Sequence, residues 1–155
     1  MRILLLSLLL ITGVYAKTFG IVIIDNKKIN FTDSLKSQIE TLFEKQDINY
    51  NGNNKVDVFI DRDKSIKKLY TRSGVEKLIE YAKSKSYDTI ALVEYKKGSK
   101  FLSTLVIVAD KEVQDRKSKL IAFHPRLGRE LPKTVLNTVL SLNYELGVLN
   151  VKNPY

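Results

Sequence analysis

Three apolar runs separated by two polar turns occupy residues 89–123, which read TIALVEYKKGSKFLSTLVIVADKEVQDRKSKLIAF. The first run, Thr89 to Tyr95, and the second, Phe101 to Ala109, flank a short turn that contains glycine, as is typical of a β-hairpin. A charged turn, Asp110 to Lys117, then leads to a third run around Lys119 to Phe123. The pattern predicts an antiparallel meander of three strands.

Strand and helix patterns alternate upstream of the meander, and one more helix follows it. Phe19 to Ile24 and Lys55 to Ile60 are short β-branched runs that predict buried strands. An apolar stripe from Leu35 predicts a helix to about Gln46, and Ser73 to Glu76 matches a capping box at the start of a second helix. Apolar positions from Leu131 to Leu146, with Pro132 in the first turn, predict a last helix that stops at Gly147. The order β-α-β-α-β-β-β-α predicts an α/β fold with one mixed five-stranded sheet, in which crossovers join the first strands in parallel.

The N-terminus has the pattern of a secretory signal peptide. Arg2 precedes a short apolar run, and Val14 and Ala16 stand where signal peptidase requires small or aliphatic side chains. The run covers about 14 residues, fewer than the roughly 20 that cross a bilayer, so cleavage is favoured over a retained anchor. We expect residues 1–16 to be removed and residues 17–155 to form a single periplasmic or secreted domain without a transmembrane segment.

Cysteine and histidine usage excludes several kinds of site. The chain has no Cys, so disulfides, thiolate zinc sites, iron–sulfur clusters and cysteine nucleophiles are ruled out. Its one histidine, His124, makes a His-rich metal site hard to build, and no Gly-x-Ser-x-Gly elbow accompanies it. The sequence predicts no cofactor.

The segment from Gly74 to Phe123 carries a resemblance to known domains. A helix ending in polar residues at Lys83 to Tyr87 precedes a strand, a turn, a long strand that ends in Asp110, a second turn and a return strand. In this order the chain resembles bacterial periplasmic α/β domains: the TolB N-terminal domain, the outer-membrane activators of penicillin-binding proteins and the α/β domain of the curli secretion protein. The resemblance implies a non-catalytic envelope protein that docks onto another protein, and it supplies no site residues. The chain departs from these domains in two respects. It has no lipoprotein cysteine, so membrane anchoring is not implied, and the turn after Asp110 lacks the glycine that usually tightens it.

Acidic residues follow the predicted parallel strands. Asp25, Asp61, Asp63 and Glu94 fall at or near the carboxyl ends, where open α/β sheets bind their ligands. Two or three carboxylates that meet there could hold Mg²⁺ for phosphoester chemistry. An Asp at a strand exit also commonly caps a turn. A metal-dependent phosphoesterase that uses Asp25, Asp61 and Asp63 is therefore the alternative function.

Basic residues outnumber acidic ones by 26 to 17, which gives a net charge of +9. Lys96, Lys97 and Lys100 lie in the first turn of the meander, and Arg126 and Arg129 follow its last strand. If these residues share one end of the sheet, they form a positive face that attracts anionic partners. Nucleic acid is not expected, because the chain is exported and lacks the aromatic–basic strand motif of RNA-binding sheets. The same lysines would also keep a small domain soluble.

The sequence therefore predicts an exported, non-enzymatic periplasmic module that binds another cell-envelope component, with no oligomeric state implied. Either the edge of the meander or the basic loops would make the contact, because an exposed edge strand can recruit a partner strand through main-chain hydrogen bonds. The partner is an envelope protein or an anionic cell-wall or lipid surface. A basic domain that binds the anionic surface without a protein partner is a third hypothesis.

Overall fold

The computed structural model describes residues 16–25, 34–47, 54–72, 74–95, 101–109, 115–122 and 125–149. Within these ranges the elements follow the order β-α-β-α-β-β-β-α, which confirms the predicted α/β fold. The strands are β1 (Thr18–Ile24), β2 (Lys55–Asp61), β3 (Thr89–Tyr95), β4 (Phe101–Val108) and β5 (Arg116–Ala122). The helices are α1 (Ser34–Asp47), α2 (Glu76–Ser84) and α3 (Leu131–Glu145), with short 3₁₀ helices at Lys67–Leu69 and Pro125–Glu130. No helix in these ranges is long and apolar enough to cross a membrane.

The five strands form one mixed sheet in the order β2-β1-β3-β4-β5. β1 lies parallel to both of its neighbours, so that Ile21 is beside Val58 on one side and Ala91 on the other. β3, β4 and β5 pair antiparallel, with Leu92 opposite Leu105 and Leu105 opposite Ser118. The predicted parallel pairs and the predicted meander are both confirmed, and β5 lies at one edge of the sheet.

Helices cover both faces of the sheet. On one face, Phe19 and Ile21 of β1 belong to the core that contains the apolar residues of α1 and α3. On the other, which we call the α2 face, Val22 and Ile24 pack in the core that contains α2. The chain crosses the sheet in one direction from β1 to β2 and in the other from β2 to β3, so crossovers of a single hand place α1 and α2 on opposite faces. β1 is thus buried on both sides, which explains its continuous apolar run.

The aromatic ring of Tyr87 holds the α2–β3 connection against the sheet. The ring lies on Gly20 of β1, where a Cβ atom would come within 2.5 Å of a ring carbon, so the approach requires glycine. The Tyr87 hydroxyl donates a hydrogen bond of 2.9 Å to Oδ2 of Asp57 on β2. Burial of the ring raises the pKa of Tyr87, and the hydrogen bond to the Asp57 carboxylate raises it further.

A buried polar contact fixes the end of α3 to the start of β3. The Thr89 hydroxyl donates a hydrogen bond of 2.8 Å to Oδ1 of Asn143. Nδ2 of Asn143 donates in turn to the carbonyl of Val139, one turn earlier in the helix, at 2.9 Å. The helix ends before Gly147, whose φ of 71° is the left-handed conformation that glycine adopts at a helix C-terminus.

The start of α2 differs from the prediction. The helix begins at Glu76 with Val75 as its N-cap residue, and the side chain of Val75 makes no cap hydrogen bond, so the helix starts later than a Ser73 cap would place it; the capping-box contacts of Ser73 and Glu76 stay a prediction. Ser73 itself lies outside the described residues. The physical reason is a tight turn, in which Thr71 and Gly74 exchange backbone hydrogen bonds of 3.2 and 3.4 Å and so hold Gly74 out of the helix.

The last strand begins earlier than predicted. The apolar run pointed to a strand from about Lys119, whereas β5 starts at Arg116. Its first half, Arg116 to Lys119, pairs fully with β4, Arg116 opposite Ile107 and Lys119 opposite Thr104. An edge strand exposes its side chains, so polar residues can occupy it and the hydrophobic pattern understates its length.

Candidate functional site

Asp61, a predicted metal ligand, caps the 3₁₀ helix that follows β2. Its side chain is buried, with 3% of the residue surface exposed. Oδ2 accepts a hydrogen bond of 2.9 Å from the backbone N–H of Lys67, and Oδ1 accepts bonds of 3.3 Å from the backbone N–H of Ile66 and the hydroxyl of Ser65. These contacts use both oxygens of Asp61 to hold the turn.

Of the other strand-end acids, Asp63 shares Ser65 with Asp61, whereas Glu94 pairs with a lysine. Asp63 is exposed and accepts a hydrogen bond of 3.0 Å from the backbone N–H of Ser65, which lowers the pKa of Asp63. Glu94 at the end of β3 forms an ion pair with Lys67. Asp25 donates its backbone N–H to the carbonyl of Asp61 at 3.3 Å. Among the described residues, which include all four acids, no group of three His, Asp or Glu side chains is placed to hold a metal ion.

Most of the predicted basic face falls outside what the structure describes. Lys96, Lys97 and Lys100 come between β3 and β4 in the sequence, and His124 precedes the second 3₁₀ helix; all four are outside the described residues. That 3₁₀ helix contains Arg126, of whose side chain nothing is described, and Arg129, which is exposed. The single positive face formed by the five basic residues stays a prediction.

The outer edge of β5 is the most open part of the described sheet. Every residue of β5 is exposed except Ile121, which is half-buried. Within the described ranges, no backbone hydrogen bond joins Arg116–Ala122 to anything beyond β4. The opposite edge differs, because Val58 and Asp61 of β2 are buried and α1 packs beside that strand. An edge with free N–H and C=O groups is a template for pairing with another strand.

Two exposed apolar side chains lie together next to this edge. Leu120 of β5 is 59% exposed and Phe101 of β4 is 46% exposed. Phe101 pairs with Ala122 and Ser103 with Leu120, so all four side chains stand on the α2 face. Large apolar side chains that are exposed in a group mark contact surfaces more often than single ones do.

A cleft of about 490 Å³ lies on the same face. Leu92 and Leu105, which are paired across β3 and β4, form its floor. Tyr70, after the first 3₁₀ helix, lines one side, and Arg116 and Ser118 of β5 line the other. The α2 face is therefore open from the cleft to the β5 edge, whereas α1 and α3 share a core with the other face of the sheet.

The charge of β5 is entirely positive. Arg116, Lys117 and Lys119 are its charged residues, and the strand has no acid. Nζ of Lys117 forms an ion pair of 3.3 Å with Oε2 of Glu145 on α3. Among the described residues neither Arg116 nor Lys119 has an ion-pair partner. Two cations of this edge are thus available to an anionic partner.

Sequence reasoning identified the meander edge as a candidate surface but missed the residues that form it. Leu120 and Phe101 belong to predicted strands, and a strand residue in an apolar run is ordinarily expected in the core. Leu120 and Phe101 are exposed because β5 is an edge strand and because Leu120 pairs with Ser103. The first depends on the strand order and the second on the register, and neither can be read from the apolar runs. The sequence signal that was present is the run of basic residues from Arg116 to Lys119, which is typical of an edge strand.

Comparisons with known proteins identify no family. No protein-family model matches the chain, and no curated protein matches it. The structure is similar to the crystal structure of a competence or damage-inducible protein from Enterobacter asburiae, with a TM-score of 0.47 and 8% sequence identity. The similarity covers 88% of this chain and 91% of that one. A likeness at this level carries no argument about function.

Proposed function

We propose that the chain is an exported, non-enzymatic module of the bacterial cell envelope that binds another envelope protein through the β5 edge. The observation that carries the proposal is the open edge of β5 together with the exposed side chains of Leu120 and Phe101. An added strand would gain main-chain hydrogen bonds from the edge and apolar contacts from these two side chains.

The start of the fold is compatible with export. β1 begins at Thr18, just after the predicted cleavage site at Ala16, so cleavage leaves the first strand whole. Lys17 then takes part in the fold, because its backbone N–H donates to Oδ1 of Asn54 at 2.9 Å and its carbonyl accepts from Lys55 at 2.8 Å. We place the mature protein in the periplasm, or outside the cell, on this basis.

Affinity capture with two matched variants tests the proposal. The full chain with its own leader is expressed in a bacterial host with a C-terminal tag, cross-linked in the envelope and purified. We expect one envelope protein to co-purify with the wild type and to be lost from a Phe101→Ser/Leu120→Ser double variant. Tyr144→Ser is the control, since Tyr144 is a 37% exposed apolar residue on α3, which packs against the opposite face. Equal capture by the double variant and the control would contradict the proposal.

Two further measurements separate the alternatives. Sedimentation with isolated peptidoglycan or phosphatidylglycerol vesicles, with a steep loss as salt rises, would favour an anionic surface bound by Lys96, Lys97, Lys100, Arg126 and Arg129. Hydrolysis of p-nitrophenyl phosphate that requires Mg²⁺ and is lost in Asp61→Asn would favour the metal-dependent phosphoesterase. The docking module shows neither activity.

A further inference from the structure

The positive charge of β5 favours some partner strands over others. Directly opposed residues in a sheet have their Cβ atoms about 4.5–5.5 Å apart, so like charges at opposed positions are unfavourable and opposite charges are favourable. All three charged residues of β5 are cations, Arg116, Lys117 and Lys119. A second copy of β5 would bring three more cations to the same edge, which disfavours self-pairing. Charge complementarity requires a partner strand that carries carboxylates.

The register of β4 and β5 assigns each β5 side chain to a face. Arg116 and Leu120 pair with Ile107 and Ser103, so they stand on the α2 face. Lys119 pairs with the buried Thr104 and points to the other face. Lys117 also points there, but its ammonium group already contacts Glu145. The positions that a partner can satisfy are therefore Arg116, Lys119 and Leu120.

We infer that β5 binds an extended segment of another protein that carries a carboxylate opposite Lys119, an apolar side chain opposite Leu120 and a second carboxylate opposite Arg116. The apolar residue and the first carboxylate are neighbours in the segment and lie on opposite faces. The two carboxylates are three positions apart and also lie on opposite faces. This inference rests on the proposed function, since it names the chemistry of the partner at the same edge.

Binding of designed peptides to the full chain tests the inference. One seven-residue peptide carries glutamate at the two positions opposite Lys119 and Arg116, valine opposite Leu120 and threonine elsewhere. It is synthesised in both chain directions, because β5 can pair parallel or antiparallel. A second peptide has lysine in place of both glutamates. We expect the glutamate peptide to bind at least about tenfold more tightly than the lysine peptide and to protect backbone amides of residues 116–122 from hydrogen exchange.

A charge swap gives the sharpest control. The Arg116→Glu/Lys119→Glu variant should lose the glutamate peptide and bind the lysine peptide instead. The matched variant Lys77→Glu/Lys133→Glu makes the same charge change at exposed positions on α2 and α3 and should bind the glutamate peptide as the wild type does. Equal binding of the two peptides by the wild type, protection outside β5, or no reversal in the swapped variant would overturn the inference.

The two proposals fail in different ways. If the Phe101→Ser/Leu120→Ser variant loses the envelope protein but the charge-swapped variant retains it, the proposed function stands and the acidic-strand inference is wrong. If the envelope protein is captured equally by all variants, the edge is not the docking site and the proposed function is wrong as well.

Discussion

At the scale of single residues, Tyr87 connects three segments that are distant in sequence. Its ring packs on Gly20 in β1, its hydroxyl binds Asp57 in β2, and its own backbone N–H donates to the carbonyl of Ala82 at the end of α2. The hydrogen bond to a carboxylate favours the protonated phenol, because a phenolate there would face a second negative charge. The hydrogen bond by which Tyr87 contacts β2 therefore requires that its phenol be protonated.

Replacing Tyr87 by phenylalanine should lower the free energy of unfolding by about 1 kcal/mol near neutral pH, because the bond to Asp57 is lost while the ring remains. The folded pKa of Tyr87 is raised above its ordinary value of 10.0, so its contribution is fully present below pH 10 and is lost as the pH rises through the folded pKa. Urea unfolding at pH 8 and above pH 10 should thus show the gap between wild type and Tyr87→Phe narrowing in alkali. Tyr144→Phe, at an exposed position, is the control with no expected change in stability. A gap of constant size would contradict this account.

At the scale of elements, the 3₁₀ helix after β2 depends on one carboxylate. Asp61 accepts two backbone N–H groups and one hydroxyl, all from Ser65 to Lys67. The same helix contributes Lys67, whose ion pair with Glu94 connects the turn to the end of β3. This turn forms one side of the cleft on the α2 face, so Asp61 shapes the cleft through the position of the turn.

Asp61→Ala should lower the free energy of unfolding by about 1–2 kcal/mol, because the N–H groups of Ile66 and Lys67 lose their acceptor. Urea unfolding followed by circular dichroism measures the change. Asp63→Ala, at a neighbouring exposed acid with a single backbone N–H contact from Ser65, should cost less. Equal effects of the two substitutions would show that the turn does not depend on the Asp61 cap.

The elements of this fold could be predicted far better than the site could. β3 was predicted with the bounds that it has, since a buried internal strand must be apolar throughout. The polar half of β5 was missed because its edge position is a tertiary property. The sequence allows Asp61 to be either a metal ligand or a cap, and the path of residues 65–67 decides which contacts its side chain makes. Likewise, the exposure of Leu120 follows only from which strand it pairs with and what covers that face.

At the scale of the whole molecule, positive charge is concentrated on β5, which is also an edge strand of the sheet. The chain carries a net charge of +9, and β5, the last strand of the sheet, contributes three cations and no acid. Cations on an edge strand oppose pairing between identical molecules. These cations therefore disfavour edge-to-edge pairing of identical molecules and favour a partner strand of opposite charge.

We expect the leader, residues 1–16, to be cleaved from the folded domain in the cell. When the full chain is expressed in a bacterium, we expect the periplasmic fraction to contain a product whose N-terminal residue is Lys17, because Val14 and Ala16 match the pattern of a signal-peptidase cleavage site. N-terminal sequencing and intact mass measure this. Ala16→Asp, which places a charge at the cleavage site, should leave the leader attached. Recovery of the wild-type chain in the cytoplasm with Met1 retained would contradict export.

The position of β1 between β2 and β3 also limits the order in which the chain can fold. β1 is the earliest described strand, and both of its neighbours come later, the second ending at Tyr95. A chain that emerges N-terminus first from a ribosome or a secretion channel therefore presents an almost wholly apolar segment without one of its neighbours until Tyr95 has passed. Apolar segments exposed during synthesis promote aggregation. β1 is thus at risk of aggregation until β3 has been added to the sheet.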